Sequence, residues 1–201
     1  PNAIFLIVTN PLDQMAYLGY KRALEHGIDA SRVIGMGGVL DSARFAYEIV
    51  NKLDCNINDV EALVIGAHGQ GMLPLSRVAS VNNNPLVNLL PEIHAIEERT
   101  IHGGAEVVSL LKTGSAYYAP GAAIAKMVET IVTDAQKVLS ASVYLNGEYN
   151  LNDLYMCVPA RLGKNGVISI EELELNSTET ERLNQAAEQI IERITSLGLR
   201  D

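Results

Sequence analysis

Two short segments hold three residues suited to moving a proton beside an acid group: Asp41 and Arg44 in LDSARF, and His68 in GAHG. An Arg guanidinium forks onto a carboxylate, a His exchanges a proton near neutral pH, and an Asp can hold that His in place. Together they supply what the interconversion of a 2-hydroxy and a 2-oxo acid needs at its reacting carbon. Asp41 and Arg44 are three positions apart, so a helix puts them on one face. His68 ends an apolar run among Gly66, Gly69 and Gly71, which let the backbone bend sharply and leave room for a ligand. Taken singly, each residue also fits a plainer role. Asp41 can cap a helix and pair with Arg44 at the surface, and His68 can be a turn residue with no task.

The elements that must position these groups follow from the apolar pattern. Ala3 to Thr9 reads as a short strand buried on both faces of a parallel sheet. Asn10-Pro11 supplies an N-cap and a first-turn proline for a helix from Leu12 to Glu25, closed by Gly27. Val33 to Met36 is a second strand, which completes a βαβ unit and sets the class as α/β. Asn10 thus follows the carboxyl end of a parallel strand, where α/β folds bind ligands. A helix opened by Asp41 spans Leu40 to Leu53, and Ala62 to Ile65 is a strand leading to His68. Pro85 to Pro91 reads as an apolar connection. Helices are expected over Pro91 to Lys112 and Ser115 to Gln136, with Ser115 either a cap or a small polar wall of a pocket. Val138 to Tyr144 and Leu154 to Leu162 read as antiparallel strands, with turns at Asn146-Gly147 and Gly163 to Gly166. Thr178 and Glu181 suggest a capping box before a last helix with the stripe Leu183, Ala187, Ile190, Ile194 and Leu197. The expected division is a βαβ portion over 1–39 and an α+β domain over 40–201.

Composition bounds the function. A net charge of −9 disfavours broad binding of nucleic acid or an anionic membrane. A small anion can still bind at one Arg, because salt screens the distant acidic groups. The two cysteines, Cys55 and Cys157, make no CxxC and no zinc spacing, so no metal site is expected and reduced thiols of a cytoplasmic protein are. No apolar run is long enough to span a membrane, and the first apolar run lacks the basic flank of a signal peptide. His26, His94 and His102 read as structural or solvent-facing, and Glu171, Glu172 and Glu174 as a solvated face. Gly35, Gly37 and Gly38 do not make GxGxxG, and no acidic residue follows at the fingerprint distance. Spacing alone leaves the cofactor open.

The ordered segments VTNPLD, RVIGMGGVLDSARF, VIGAHGQGMLPLSR, LLKTGSAYYAPGAA and GEYNLNDLYMCVPARLGKNGV resemble the lactate/malate dehydrogenase family over nearly the whole chain. Within it they are most similar to the lactate-dehydrogenase-like malate dehydrogenases. The resemblance implies hydride transfer between NAD and a small dicarboxylate, malate or oxaloacetate, in a cytoplasmic homo-dimer or homo-tetramer, with L-lactate dehydrogenase as the alternative. It implies His68 as proton donor and acceptor, Asp41 as its partner and Arg44 as bidentate anchor of the substrate carboxylate. Asn10 would touch substrate and nicotinamide, Val8, Thr9 and Asn10 would form a main-chain strip beside the cofactor, and Ser115 would line the substrate pocket. Residues 1–39 would be the end of a Rossmann sheet and 40–201 the substrate-binding domain. Two departures stand out. Gln70 follows Gly69 where the family carries Asp. The glycine fingerprint, the ribose-binding acid and the mobile loop's Arg do not occur in the 201 residues and are expected before Pro1, so the chain reads as a C-terminal catalytic portion or, alternatively, as a non-catalytic fragment without cofactor affinity.

Overall fold

The computed structural model describes residues 2–90 and 92–200. The first apolar run forms β1 (Phe5–Ile7), followed by α1 (Leu12–Leu24) and β2 (Val33–Gly35). β1 and β2 pair in parallel, Phe5 with Val33 and Ile7 with Gly35, so the expected βαβ unit is present. β1 is shorter than its apolar run and is not buried on both faces. It pairs with β2 alone at the sheet edge, and Phe5 stays 42% exposed. α1 is capped by Pro11 rather than Asn10, because the Pro11 carbonyl accepts the first helical bond, from the Met15 N–H, and leaves Asn10 one residue outside the turn.

α2 (Gly38–Leu53) begins earlier than its polar pattern suggests. Gly37 takes the cap position and Asp41 falls inside the first turn, on the buried face. Two glycines make this possible. A Cβ on Gly37 would sit 2.6 Å from Leu12 Cδ2 and 2.9 Å from Cys157 Sγ, and one on Gly38 would overlap the Ser140 side chain and lie 2.8 Å from its carbonyl oxygen. Without side chains there, the helix start presses against the sheet.

The chain then forms β3 (Val60–Glu61), β4 (Val64–Gly66), β5 (Met72–Pro74), β6 (Ser80–Val81) and β7 (Asn84–Pro85). α3 (Leu86–Leu89) occupies what reads in sequence as a plain connection. α4 (Ile93–Leu111) and α5 (Tyr118–Val132) follow; Pro91, at the expected start of the first of these helices, lies outside the described residues. β8 (Lys137–Asn146) and β9 (Asn152–Gly163) form the expected antiparallel hairpin, extended by β10 (Gly166–Ile170). The main sheet runs β1-β2-β8-β9-β4-β5 with β10 also on β9, and β3, β6 and β7 make a small second sheet. One row crosses the main sheet through Gly35, Ser142, Cys157 and Gly66.

The last helix, α6 (Ser177–Ser196), uses Asn176 and Glu179 as its capping box, not Thr178 and Glu181. Glu179 N–H donates to Asn176 Oδ1 at 2.9 Å and Asn176 N–H to Glu179 Oε2 at 2.8 Å. Arg77 draws Glu179 to this end with an ion pair of 3.0 Å. Leu183, Ala187, Ile190 and Ile194 enter the main core beside Tyr17, Ile34, Ile65 and Val158, whereas Leu197 lies past the helix end and is exposed. A second cluster, built on Phe45, Ile49, Val64 and Leu86, ties α2 to the small sheet. Glu171 is more than a solvated group, since Arg161 of β9 pairs with it at 3.0 Å.

Replacing Gly38 by Ala should lower stability by about 1–3 kcal/mol, the usual range for overpacking a core. Urea unfolding checks this, and an unchanged midpoint would refute the close approach of α2 to β8.

Candidate active site

Asp41 enters the site from the first turn of α2 and is 1% exposed. Its two oxygens are divided. Arg44 Nη1 donates to Oδ1 at 3.2 Å along the same helix face, and His68 Nδ1 lies 2.7 Å from Oδ2. The structure therefore brings Asp41, Arg44 and His68 together, and Asp41 is neither a cap nor half of a surface ion pair. An aspartate here accepts and the His68 Nδ1–H donates, which leaves Nε2 as the nitrogen free for proton exchange.

His68 depends on how β4 is seated. Ser42 Oγ of α2 accepts from the Val64 N–H at 3.0 Å, and Ser140 Oγ of β8 donates to the Val64 carbonyl at 2.6 Å. β4 is thus pinned between helix and sheet, and the turn beyond Gly66 emerges against Asp41. Gly66 has φ of +91° and Gly69 of +119°, conformations that side chains rarely adopt. The turn closes through bonds from Ala67 N–H to Gly71 O and from Met72 N–H to Gly69 O, each 3.2 Å. Gln70 is exposed and takes no part in those two bonds.

Sequence reasoning passed over Asp13, although it stands in VTNPLD. It is 2% exposed, in the first turn of α1. The His68 backbone N–H donates to its Oδ2 at 2.8 Å and Ser142 Oγ to its Oδ1 at 2.6 Å. Burial pushes its carboxyl up to about 6, although both hydrogen bonds and the nearby His68 oppose that rise. The available signal was an acid two residues after a proline at a strand-to-helix junction, which reads equally well as a helix-dipole partner.

Burial of the His68 ring favours its neutral form. The Asp41 hydrogen bond and the charges of Asp41 and Asp13 outweigh it, so the pKa stands above the ordinary histidine value. Cys157 Sγ accepts from the Gly38 N–H at 3.2 Å, and burial pushes this thiol well up, which suits a packing role rather than a nucleophile. Arg44 passes under Gly104 of α4, where a Cβ would come within 3.1 Å of its guanidinium nitrogens. One of its five N–H donors goes to Asp41, and the planar group keeps others for a ligand.

The remaining expected residues stand differently. Val8, Thr9 and Asn10 form an exposed stretch between β1 and α1, three residues before Asp13 at its near end. Ser115 is exposed in the α4–α5 connection; it is not the cap of α5, which is Tyr117, and no described bond joins it to the trio. His94 and His102 lie at the surface beside Glu97 and Glu98. Among the described residues no cluster of three His, Cys, Asp or Glu could hold a metal, and no helix is long and apolar enough to cross a membrane. The trio can bind a carboxylate at Arg44 while His68 exchanges a proton a short distance away.

Comparison with known proteins agrees with this fold. Residues 38–197 match the family described as lactate/malate dehydrogenase, alpha/beta C-terminal domain. A malate dehydrogenase of Methanosarcina mazei is 47% identical over 201 residues, 99% of this chain and 64% of the relative. One from Nostoc sp. is 46% identical, covering 98% of this chain and 62% of the relative. The chain thus spans a little under two thirds of these relatives. Among solved structures, malate dehydrogenase from Aeropyrum pernix superposes with a TM-score of 0.93 at 39% identity, covering 99% of this chain and 67% of that one. Lactate dehydrogenase from Eimeria maxima, solved with NADH and oxamate, reaches 0.93 at 35% identity, covering 98% and 61%. With its βαβ start, its antiparallel hairpin and a matched stretch that holds Asp41, Arg44 and His68, the chain belongs to the lactate/malate dehydrogenase family.

Proposed function

We propose that the protein carrying this chain interconverts malate and oxaloacetate with NAD. The observation that carries the reading is the shared Asp41 carboxylate, bonded to His68 at 2.7 Å and to Arg44 at 3.2 Å. Arg44 binds the C1 carboxylate of the substrate with its remaining donors. In the oxidative direction His68 Nε2 takes the proton of the C2 hydroxyl, and in the reverse direction it returns that proton to the carbonyl oxygen. Asp41 holds the ring by Nδ1 and stabilises the imidazolium. When bound, NAD supplies the hydride acceptor, or as NADH the donor. Val8, Thr9 and Asn10 fit its nicotinamide end: they lie exposed at the carboxyl end of β1, a few residues from the Asp13 that touches the His68 turn. Asn10 then contacts both substrate and nicotinamide, and Ser115 supplies a small polar wall. Residues 1–39 are the end of the nucleotide-binding sheet and 40–201 the substrate domain. No GxGxxG loop for the pyrophosphate occurs among the 201 residues.

The names of the relatives favour malate over lactate. Exposed apolar side chains on α4 and α5, among them Leu110 at 73% and Tyr118 at 84%, support assembly as a homo-dimer or homo-tetramer. The free thiols Cys55 and Cys157 support a cytoplasmic setting.

The decisive assay compares oxaloacetate with pyruvate, each with NADH and NADPH, in the longest natural protein that contains this chain. Preference for oxaloacetate with NADH is expected; preference for pyruvate would replace the reading by lactate dehydrogenase. In that protein Arg44→Leu should lower kcat/KM for oxaloacetate by roughly 10²–10³, the loss of a desolvated charge pair, with NADH affinity little changed. A parallel fall in NADH affinity would remove Arg44 from the substrate site. Reduction of oxaloacetate requires protonated His68, so kcat/KM should fall as pH rises through a midpoint above the ordinary histidine value, the direction its surroundings impose. A midpoint below that value would contradict the role of Asp41. The 201 residues made alone should turn over oxaloacetate at least about 10³-fold slower than the Methanosarcina mazei relative, the scale of a missing transition-state contact. Comparable rates would show that cofactor binding does not need a glycine loop.

A further inference from the structure

We propose that Asp13 is a positioning residue for His68: it fixes the histidine's turn through the backbone while Asp41 fixes the ring, and it adds a second negative charge to the surroundings of the imidazolium. The inference deepens the reading above and rests on His68 being the proton carrier.

The geometry is that of a latch. Asp13 is anchored from below by Ser142 of β8, at 2.6 Å, and accepts the N–H of His68 itself at 2.8 Å. Ser142 belongs to the sheet row that also contains Gly35, Cys157 and Gly66. A Cβ on Gly35 would lie 2.7 Å from the Ser142 Cβ, so β2 and β8 are held close at this point. The latch therefore ties a glycine-rich turn to this closely packed row of the sheet. Gln70 of the turn is exposed, and the bond that braces His68 comes from Asp13 of α1.

A carboxylate without solvent is costly, and a protein keeps one only where partners repay the cost. Asp13 has two neutral donors and no Arg or Lys contact among the described bonds. The groups that act on it are Asp41 of α2, His68 of the turn, Ser142 of β8 and Cys157 of β9, while Arg44 of α2 acts on His68 and Asp41. Of these, only His68 can supply a positive charge that comes and goes. Asp13 and the imidazolium therefore favour each other's charged forms, and Asp41, already divided between Arg44 and His68, is not the sole counter-charge.

Two variants separate latch from charge. In Asp13→Asn the amide oxygen still accepts the His68 N–H and the amide N–H₂ can donate to Ser142 Oγ, so the latch stays while the charge goes. The His68 titration, followed by NMR of its imidazole without substrate, should fall by roughly one pH unit, as expected for removing a unit charge a few ångströms away. The midpoint of the pH profile should fall with it, and kcat/KM on the low-pH plateau should fall less than in Asp13→Ala. Asp13→Ala loses both and should lower the plateau at least about tenfold, because the histidine is no longer held in line. If Asp13→Ala does not fold, Ser142→Ala serves: it loosens the carboxylate, and the His68 midpoint should move down by a smaller amount. A stability readout is independent of activity. With its carboxyl raised from 3.8 to about 6, folded Asp13 binds its proton more tightly than the unfolded chain does. Its contribution is fully present below the lower value and is lost as pH rises through the upper one. Wild type should therefore lose stability relative to Asp13→Asn across that window. An unmoved His68 midpoint in Asp13→Asn would overturn the charge role, and a wild-type plateau in Asp13→Ala would overturn the latch. If wild type turns over no oxaloacetate, the malate reading fails, while the substrate-free titration still decides the role of Asp13.

Discussion

Two buried carboxylates, Asp13 and Asp41, are the constraint around which this fold is arranged. Neither can leave water unless donors meet both of its oxygens. Asp41 is met by Arg44 and His68, and Asp13 by Ser142 and the backbone of His68. These four groups belong to three residues, Arg44 of α2, His68 of the turn after β4, and Ser142 of β8. Placing them requires the parallel start of the chain and its antiparallel hairpin to share one sheet, which they do where Gly35 of β2 pairs with Ser142 of β8.

Small residues carry the consequences of that demand. Gly37 and Gly38 let α2 begin against β8, which turns Asp41 inward, and Gly104 leaves room for the Arg44 guanidinium under α4. Ser42 and Ser140 hold β4 by the two sides of Val64. The buried carboxylates and His68 are thus each held by hydrogen bonds, while Val8 to Asn10 face solvent. Positioning a small set of groups beside an exposed strip suits the proposed reaction, in which the protein would orient and the cofactor would carry the electrons.

Much of this arrangement is legible in the sequence, and the reason differs by element. The i,i+3 spacing of Asp41 and Arg44 puts them on one helix face whatever the helix packs against. The glycines round His68 announce a turn, and the apolar run of β9 announces a buried strand. The start of α6 is not decided locally, because Thr178 with Glu181 and Asn176 with Glu179 are equally good boxes. Arg77, about a hundred residues away, selects the second pair. Asp13 is not legible in the sequence for a related reason: near a helix start, an acid needs no partner to be explained.

By itself the sequence determined the α/β class, the family likeness, and the trio of Asp41, Arg44 and His68, because side-chain type and short-range period do not depend on distant contacts. Only the tertiary structure decided that Asp41 is inside rather than capping a helix. It also decided that His68 faces Asp41 by Nδ1, and that Asp13 grips the same histidine from behind. Those facts depend on strand register and on helix-to-sheet distance, and both are set by residues far apart in the chain: glycines pressed against Ser140 and Ser142, and a row of four residues drawn from four strands.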